Sequence, residues 1–272
     1  MTIFELTDVT CRYQDVPALR GLSVSLAEGA RVAVVGANGS GKTTLLRMLD
    51  GLVFPEVGTV RYRDVVLSEA AFANDGFAYD FRRRVGLVFQ DADAQLFNPT
   101  VFDEVAFGPL QLGWSRSELR EKVDEALERL RIGHLRDRVP QRLSTGEKKR
   151  VALASVLVLN PEVLLLDEPT AGLDPKSESQ VIDLLVGWAG GAKTVVTATH
   201  DLGALEDIAD RCCVLHEGRL VADADPRGIL SDVPLLERAN LVHAHRHHHP
   251  GREHSHPHLH GHGHDQGLGP RG

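Results

Sequence analysis

Gly36-Ala-Asn-Gly-Ser-Gly-Lys-Thr43 is the stretch that decides the fold of this 272-residue chain. It fits the pattern G-x-x-x-x-G-K-[ST]. Glycines at these positions let the backbone curl until several N–H groups converge on one anion, and a helix that follows adds its positive end. Both flanks agree. Arg31–Val35 is a short apolar run suited to a buried strand, and Lys42–Leu49 has helical character. Strand, glycine-rich loop and helix in that order form a phosphate cradle rather than a structural turn. Gly36, Asn38, Gly39, Ser40, Gly41 and Thr44 are expected to surround the anion. Lys42 would reach the β- and γ-phosphates of a nucleotide, and the Thr43 hydroxyl would be a ligand for Mg2+.

Farther along, Val163-Leu-Leu-Leu-Asp167-Glu168 is an apolar strand ending in two carboxylates. Asp167 at the strand tip can hold Mg2+ through water, and Glu168 can polarise an attacking water. Two acids after a strand are often only a solvated turn; beside a phosphate loop they complete a hydrolytic site. ATP and Mg2+ are therefore the expected cofactors. Nucleotide hydrolases and kinases are both compatible with these two features alone.

Phe4–Val9 and Leu19–Leu26 alternate with polar residues, as strands with one wet face do. Val85–Phe89 and Thr194–Ala198 suggest buried strands. Between them, Trp114–Arg131 carries Leu119, Val123, Leu127 and Leu130 at the spacing of an amphipathic helix, with Ser115 or Ser117 as its cap. Glu147–Leu159 is a second helical stretch, and Asp174-Pro175 opens a third. Strands alternating with helices around a helical insert predict a parallel α/β core with a helical subdomain at about 90–160.

Composition sets the outer bounds. Hydrophobic residues make up 42% and charged residues 25%, ordinary for a globular chain. A net charge of -8 leans against a nucleic-acid partner, because phosphate neutralisation needs a basic face. No apolar run reaches the ~18–20 residues of a membrane span. The N-terminus has neither a basic start nor an apolar core of signal-peptide length, so membrane association is expected to be peripheral. Three cysteines, Cys11, Cys212 and Cys213, make no disulfide framework, which suits a reducing, cytoplasmic setting.

Leu143-Ser-Thr-Gly-Glu-Lys-Lys-Arg150 narrows the field. Here the chain resembles the ATP-binding-cassette (ABC) ATPases, whose signature runs Leu-Ser-Gly-Gly-Gln, and the resemblance extends over nearly all of 1–235. It implies an α/β fold: a P-loop NTPase core with an N-terminal antiparallel β subdomain and a helical subdomain bearing the signature. By the same resemblance, Tyr13 stands where an aromatic stacks on adenine. Gln90 stands where a glutamine touches Mg2+ and water, and His200 where a switch histidine contacts the γ-phosphate. Ala171–Pro175 matches the segment that links the two sites of a dimer, with Asp174 as its acid. Ser144 and Gly146 match donors that approach the γ-phosphate across a dimer interface. Thr145 departs from the usual glycine, and Glu147 from the common glutamine. Such a cassette is expected to pair with a second, either identical or related.

The stretch Phe89–Phe97 through Val101–Gly113 is similar to energy-coupling-factor type importers, notably the cobalt and nickel group. The resemblance implies an integral-membrane coupling subunit, a substrate-binding membrane subunit, and a place on the cytoplasmic face of the cell membrane. A vitamin or zinc importer of the same type is the near alternative. A soluble ABC ATPase acting on DNA or ribosomes is the distant one; the single cassette, without a coiled-coil insert or basic arm, speaks against it.

Residues 1–240 are expected to fold as the ATPase domain, and 241–272 to be a disordered tail. Eleven of the 14 histidines lie between His243 and His264. His247, His248, His249, His254, His256, His258, His260, His262 and His264 are candidate ligands for Ni2+ or Co2+, since neutral imidazole favours such borderline ions. A purification tag would more commonly be an uninterrupted run. A flexible tail of this length reaches roughly 30 Å.

Overall fold

The computed structural model describes residues 1–13, 15–188, 193–249 and 252–259; the side chains of Tyr13, Trp188 and residues 243–259 lie outside that description. Two long strands, β1 (Thr2–Tyr13) and β2 (Val16–Ala27), precede β3 (Arg31–Val35) and α1 (Lys42–Leu49). β4 (Val57–Tyr62) and β5 (Val65–Val66) return to β1, completing an antiparallel sheet ordered β2-β1-β4-β5. Helices α2 (Glu69–Phe72) and α3 (Asp75–Arg84) lead to β6 (Val85–Val88). A helical lobe follows: α4 (Ala92–Gln95), α5 (Val101–Gln111), α6 (Arg116–Arg129) and α7 (Thr145–Leu157). The chain re-enters the core as β7 (Val163–Asp167), α8 (Pro175–Trp188), β8 (Thr194–Thr199), α9 (Leu205–Ile208), β9 (Arg211–His216) and β10 (Arg219–Ala224). Helices α10 (Pro226–Ser231) and α11 (Val233–Arg238) close the domain.

The larger sheet is ordered β10-β9-β3-β8-β7-β6, and every pair except β10 with β9 is parallel. Parallel strands covered on both faces are apolar throughout rather than alternating. Accordingly β7 and β8 are buried at every position. The alternate residues of β7 serve two cores. Val163 and Leu165 join the cluster beneath the antiparallel sheet with Phe4, Leu46 and Phe81, whereas Leu164 and Leu166 join the helical-lobe cluster with Val123, Leu127 and Val151. Because β3, β8 and β7 are parallel neighbours, the loops at their carboxyl ends open on one edge, where α/β sheets place their ligands. The parallel core, the antiparallel sheet and the helical lobe match the expected fold class.

Some boundaries moved. β1 is longer than the alternating run Phe4–Val9 because its register shifts between Leu6 and Val9, which breaks the period of two. Ser115, not Ser117, caps α6, accepting the Glu118 N–H. α7 starts at Thr145, two residues before the apolar periodicity, because a capping box formed by Ser144 and Glu147 anchors it earlier; it ends at Leu157 rather than Leu159. Past α11, where composition predicts disorder, the backbone pairs β11 (Val242–His249) antiparallel with β12 (Arg252–Leu259). Histidine alternates with other residues along 243–247 and 254–258 but not through 247–249, and two strands alone are marginal in water. His260, His262 and His264 lie outside the described residues, as do the side chains of His247, His248, His249, His254, His256 and His258. The three cysteines are buried free thiols. Among the described residues, no helix is long and apolar enough to cross a membrane.

Candidate nucleotide-hydrolysis site

The loop between β3 and α1 opens into a cavity of about 430 Å3. Helix α1 has no side-chain cap, and no acid sits in its first turn, so its leading N–H groups and positive end face the cavity uncompensated. Gly41 adopts φ 106, and a Cβ there would lie 2.5 Å from the Ala18 carbonyl, so the turn requires glycine. Asn38, Gly39, Gly41, Lys42, Thr43 and Thr44 line the cavity together with Gln90, Asp167 and Glu168. Gly36 and Ser40 form the loop behind them: the Lys42 ammonium donates to the Gly36 carbonyl at 2.7 Å. Ser40, Lys42 and Thr44 are buried.

The acids arrive from β7. Asp167 is 3% exposed, and its Oδ1 has no hydrogen-bond partner among the described residues. Burial raises this carboxyl above the ordinary range, while a hydrogen bond from Thr43 pulls it back. An orphaned carboxylate oxygen beside a threonine hydroxyl, with the Gln90 amide on the same cavity, is the hard oxygen set that suits Mg2+. Glu168 Oε1 lies 3.4 Å from Lys42 Nζ and 2.9 Å from His200 Nδ1. His200 follows β8, the strand between β3 and β7, so topology brings the histidine to the carboxylate without lining the cavity itself.

The remaining expected residues stand apart from this cavity. Ser144, Gly146 and Asp174 are not in its wall. The Ser144 hydroxyl donates to Glu147 Oε2 at 2.9 Å and its N–H to the same oxygen at 2.8 Å. Those two bonds, the backbone one foremost, hold the Glu147 carboxyl below its ordinary range. Asp174 accepts from the Ser177 hydroxyl at 2.6 Å and two backbone N–H groups, which fixes the start of α8 and lowers its own carboxyl. Tyr13 ends β1 opposite Val16, but its side chain lies outside the described residues.

Two sets of residues were missed. Val16, Pro17 and Ala18 of β2 line the cavity; their place beside Tyr13 was the only sequence signal. Lys149 is buried, and its ammonium donates to the Glu168 main-chain carbonyl at 2.7 Å. Burial pushes that amine down to about 8, with the Glu168 and Asp167 charges opposing.

Known proteins resemble this chain over most of its length. The ABC transporter family model matches residues 19–171. Over 242 residues the chain is 50% identical to the nickel import ATP-binding protein NikO of Rhodobacter capsulatus, covering 88% of this chain and 95% of that one. It is 45% identical to the cobalt import ATP-binding protein CbiO of the same organism, over 83% of this chain and 79% of that one. Among solved structures, the dimeric post-hydrolysis state of the ATP-binding cassette MJ0796, bound to ADP and Pi, superposes with a TM-score of 0.74 at 28% identity, covering 83% of this chain and 99% of that one.

Proposed function

The chain belongs to the ABC transporter ATPase family, and on that premise we propose that it is the ATP-hydrolysing motor subunit of a membrane importer for nickel or cobalt ions. The observation that carries the hydrolytic part is the convergence of Lys42, Gln90, Asp167 and Glu168 on one cavity, with Glu168 also bonded to His200. Glu168 serves as general base for the attacking water, and His200 orients its carboxylate. Lys42 and the free N–H groups of α1 hold the phosphates. Thr43, Gln90 and Asp167 would hold Mg2+, which supplies charge neutralisation on the phosphates. Val16 lines the cavity, and Tyr13, its strand partner across β1 and β2, would stack on the adenine.

Ser144, Gly146 and Asp174 lie outside the cavity of their own chain. This supports a dimer, with an identical or a related cassette, in which they face the partner's nucleotide. An apolar patch supports the membrane partner: Phe97 is 63% exposed and stacks edge-on against Phe107 at 5.0 Å, with Leu110 also exposed. It sits in the lobe that follows Gln90, where an integral-membrane coupling subunit would dock on the cytoplasmic face, beside a substrate-binding membrane subunit. Similarity to the nickel and cobalt import proteins, together with the histidine-rich tail, supports a transition metal as cargo over a vitamin.

Glu168→Gln tests the motor: turnover should fall by at least about 100-fold while ATP-driven dimerisation, followed by gel filtration, persists. Turnover at the unsubstituted rate would refute the assignment. For the cargo, removing residues after Leu241 should abolish most Ni2+ and Co2+ binding by calorimetry and leave basal ATPase activity intact. Full metal binding by the truncated protein would remove the tail's role.

A further inference from the structure

We propose that Lys149 is a positioning residue for Glu168, linking the helix that carries the signature loop to the carboxylate that activates water. The inference rests on Glu168 being the general base. Lys149 lies on α7 five residues beyond Ser144, is 7% exposed, and donates to the Glu168 main-chain carbonyl at 2.7 Å. Glu168 needs such support. It adopts φ 47, a left-handed conformation that residues other than glycine rarely occupy. Its N–H is tied to the Ala198 carbonyl of β8 at 2.9 Å, and its carbonyl also accepts from the Ala171 N–H at 3.2 Å. The peptide groups around this one residue are therefore clamped from three directions: the neighbouring strand, the turn that follows, and α7. Of the three, only the Lys149 contact is made by a side chain, and only it comes from the helical lobe.

An ammonium buried against a neutral carbonyl is an unusual partner choice, since buried charges are ordinarily paired with opposite charge. A charged donor bonds a carbonyl more strongly than a neutral one. The flexible lysine stem spans from α7 to the residue just past the tip of β7. Because α7 is one continuous helix from Thr145 to Leu157, a shift of its Ser144 end is carried by Lys149 to the backbone of Glu168. The nucleotide engaged by the signature loop would thus act on the base of the same chain that lends the loop.

The test uses the full-length protein with Mg2+ and ATP, comparing Lys149→Met, which keeps length without a donor, and Lys149→Arg, which keeps the donor. Lys149→Met should lower kcat by about 10- to 100-fold while KM and the affinity for a fluorescent ATP analogue stay within about two-fold. Lys149→Arg should recover at least about a third of kcat. A kcat within about two-fold of the unsubstituted protein, or equal losses of kcat and ATP affinity, would overturn the proposal. So would identical behaviour of the Met and Arg variants. Should Lys149→Met fail to fold, Lys149→Leu, which also lacks a donor, is measured by the same readouts. Full turnover by Glu168→Gln would refute the base itself. Inactive Glu168→Gln alongside a fully active Lys149→Met would remove the positioning role alone.

Discussion

Helix α1 begins at Lys42 with no side-chain cap and no acid in its first turn, whereas helix α7 begins behind a complete capping box with Glu147 in its first turn. Both N-termini are proposed to meet phosphate, one in its own cavity and one across a dimer. They are prepared in opposite ways. At α1 the leading N–H groups are left for a ligand, and the surrounding Ser40, Lys42 and Thr44 are buried. At α7 the Ser144 hydroxyl and N–H are both already given to an ionised carboxylate, on an exposed surface. A nucleotide arriving there competes with an internal anion for the same donors. A capping interaction of this kind contributes about 1 kcal/mol, so the competition is winnable but not free. Binding at the first site should therefore be strong in one chain alone, and closure of the second should need a higher ATP concentration.

The contrast breaks most visibly at the loop before α1. Gly41→Ala places a Cβ 2.5 Å from the Ala18 carbonyl at φ 106, and ATP affinity by fluorescence titration should fall by about 100-fold. Undiminished affinity would mean that this loop does not shape the site. A smaller, opposite effect is expected at α7. In a Glu168→Gln background, Glu147→Gln should lower the ATP concentration for half-maximal dimerisation by about three- to ten-fold, because the competing charge is gone. Since Glu147 is accessible, the gain should shrink at high ionic strength. No change, or weaker dimerisation, would show that the capping box does not oppose the nucleotide.

A separate effect lies at the far end of α1 and concerns stability alone. Asp50, the C-cap, is raised to about 7 by burial, with Arg82 opposing. A carboxyl whose folded value lies above its unfolded one is held neutral in the fold. Its stabilising balance is greatest at low pH and is lost as pH rises from about 4 through about 7. Asp50→Asn should therefore raise Tm by a few degrees at pH 8, about 1–3 kcal/mol, and by little at pH 4. An equal shift at both pH values would contradict an Asp50 that titrates near 7 in the fold.

Legibility followed the distance over which each feature is encoded. The phosphate cradle could be read because its chemistry requires contiguous residues. Asp167 and Glu168 could be read because an apolar run ends at them. The Ser144-x-x-Glu147 box was equally local, yet Thr145 and Gly146 are poor helix formers and drew attention to the apolar period that starts later. α5 went unread since Gly108 and Pro109 interrupt its last turn. Val16–Ala18 carried no signal beyond their place beside Tyr13, and Lys149 carried none. The first depends on the packing of a separate sheet against the loop, and the second on a main-chain carbonyl nineteen residues away, which carries no side-chain signature.

β7 delivers alternate side chains to two cores, and this has a bearing on how the molecule comes into being. A slip of one residue would exchange every side chain between those cores, so the strand settles only when both have condensed around it. Its hydrogen-bonded neighbour on the way to β3 is β8, which follows it in the chain. During synthesis the Gly36–Thr43 segment is therefore made early, and the strand that ends in Asp167 and Glu168 late. The strand that leads into the loop, β3, has β8 and β9 as its sheet neighbours, so neither β3 nor β7 is fixed in the sheet until β8 has been made and wedged between them.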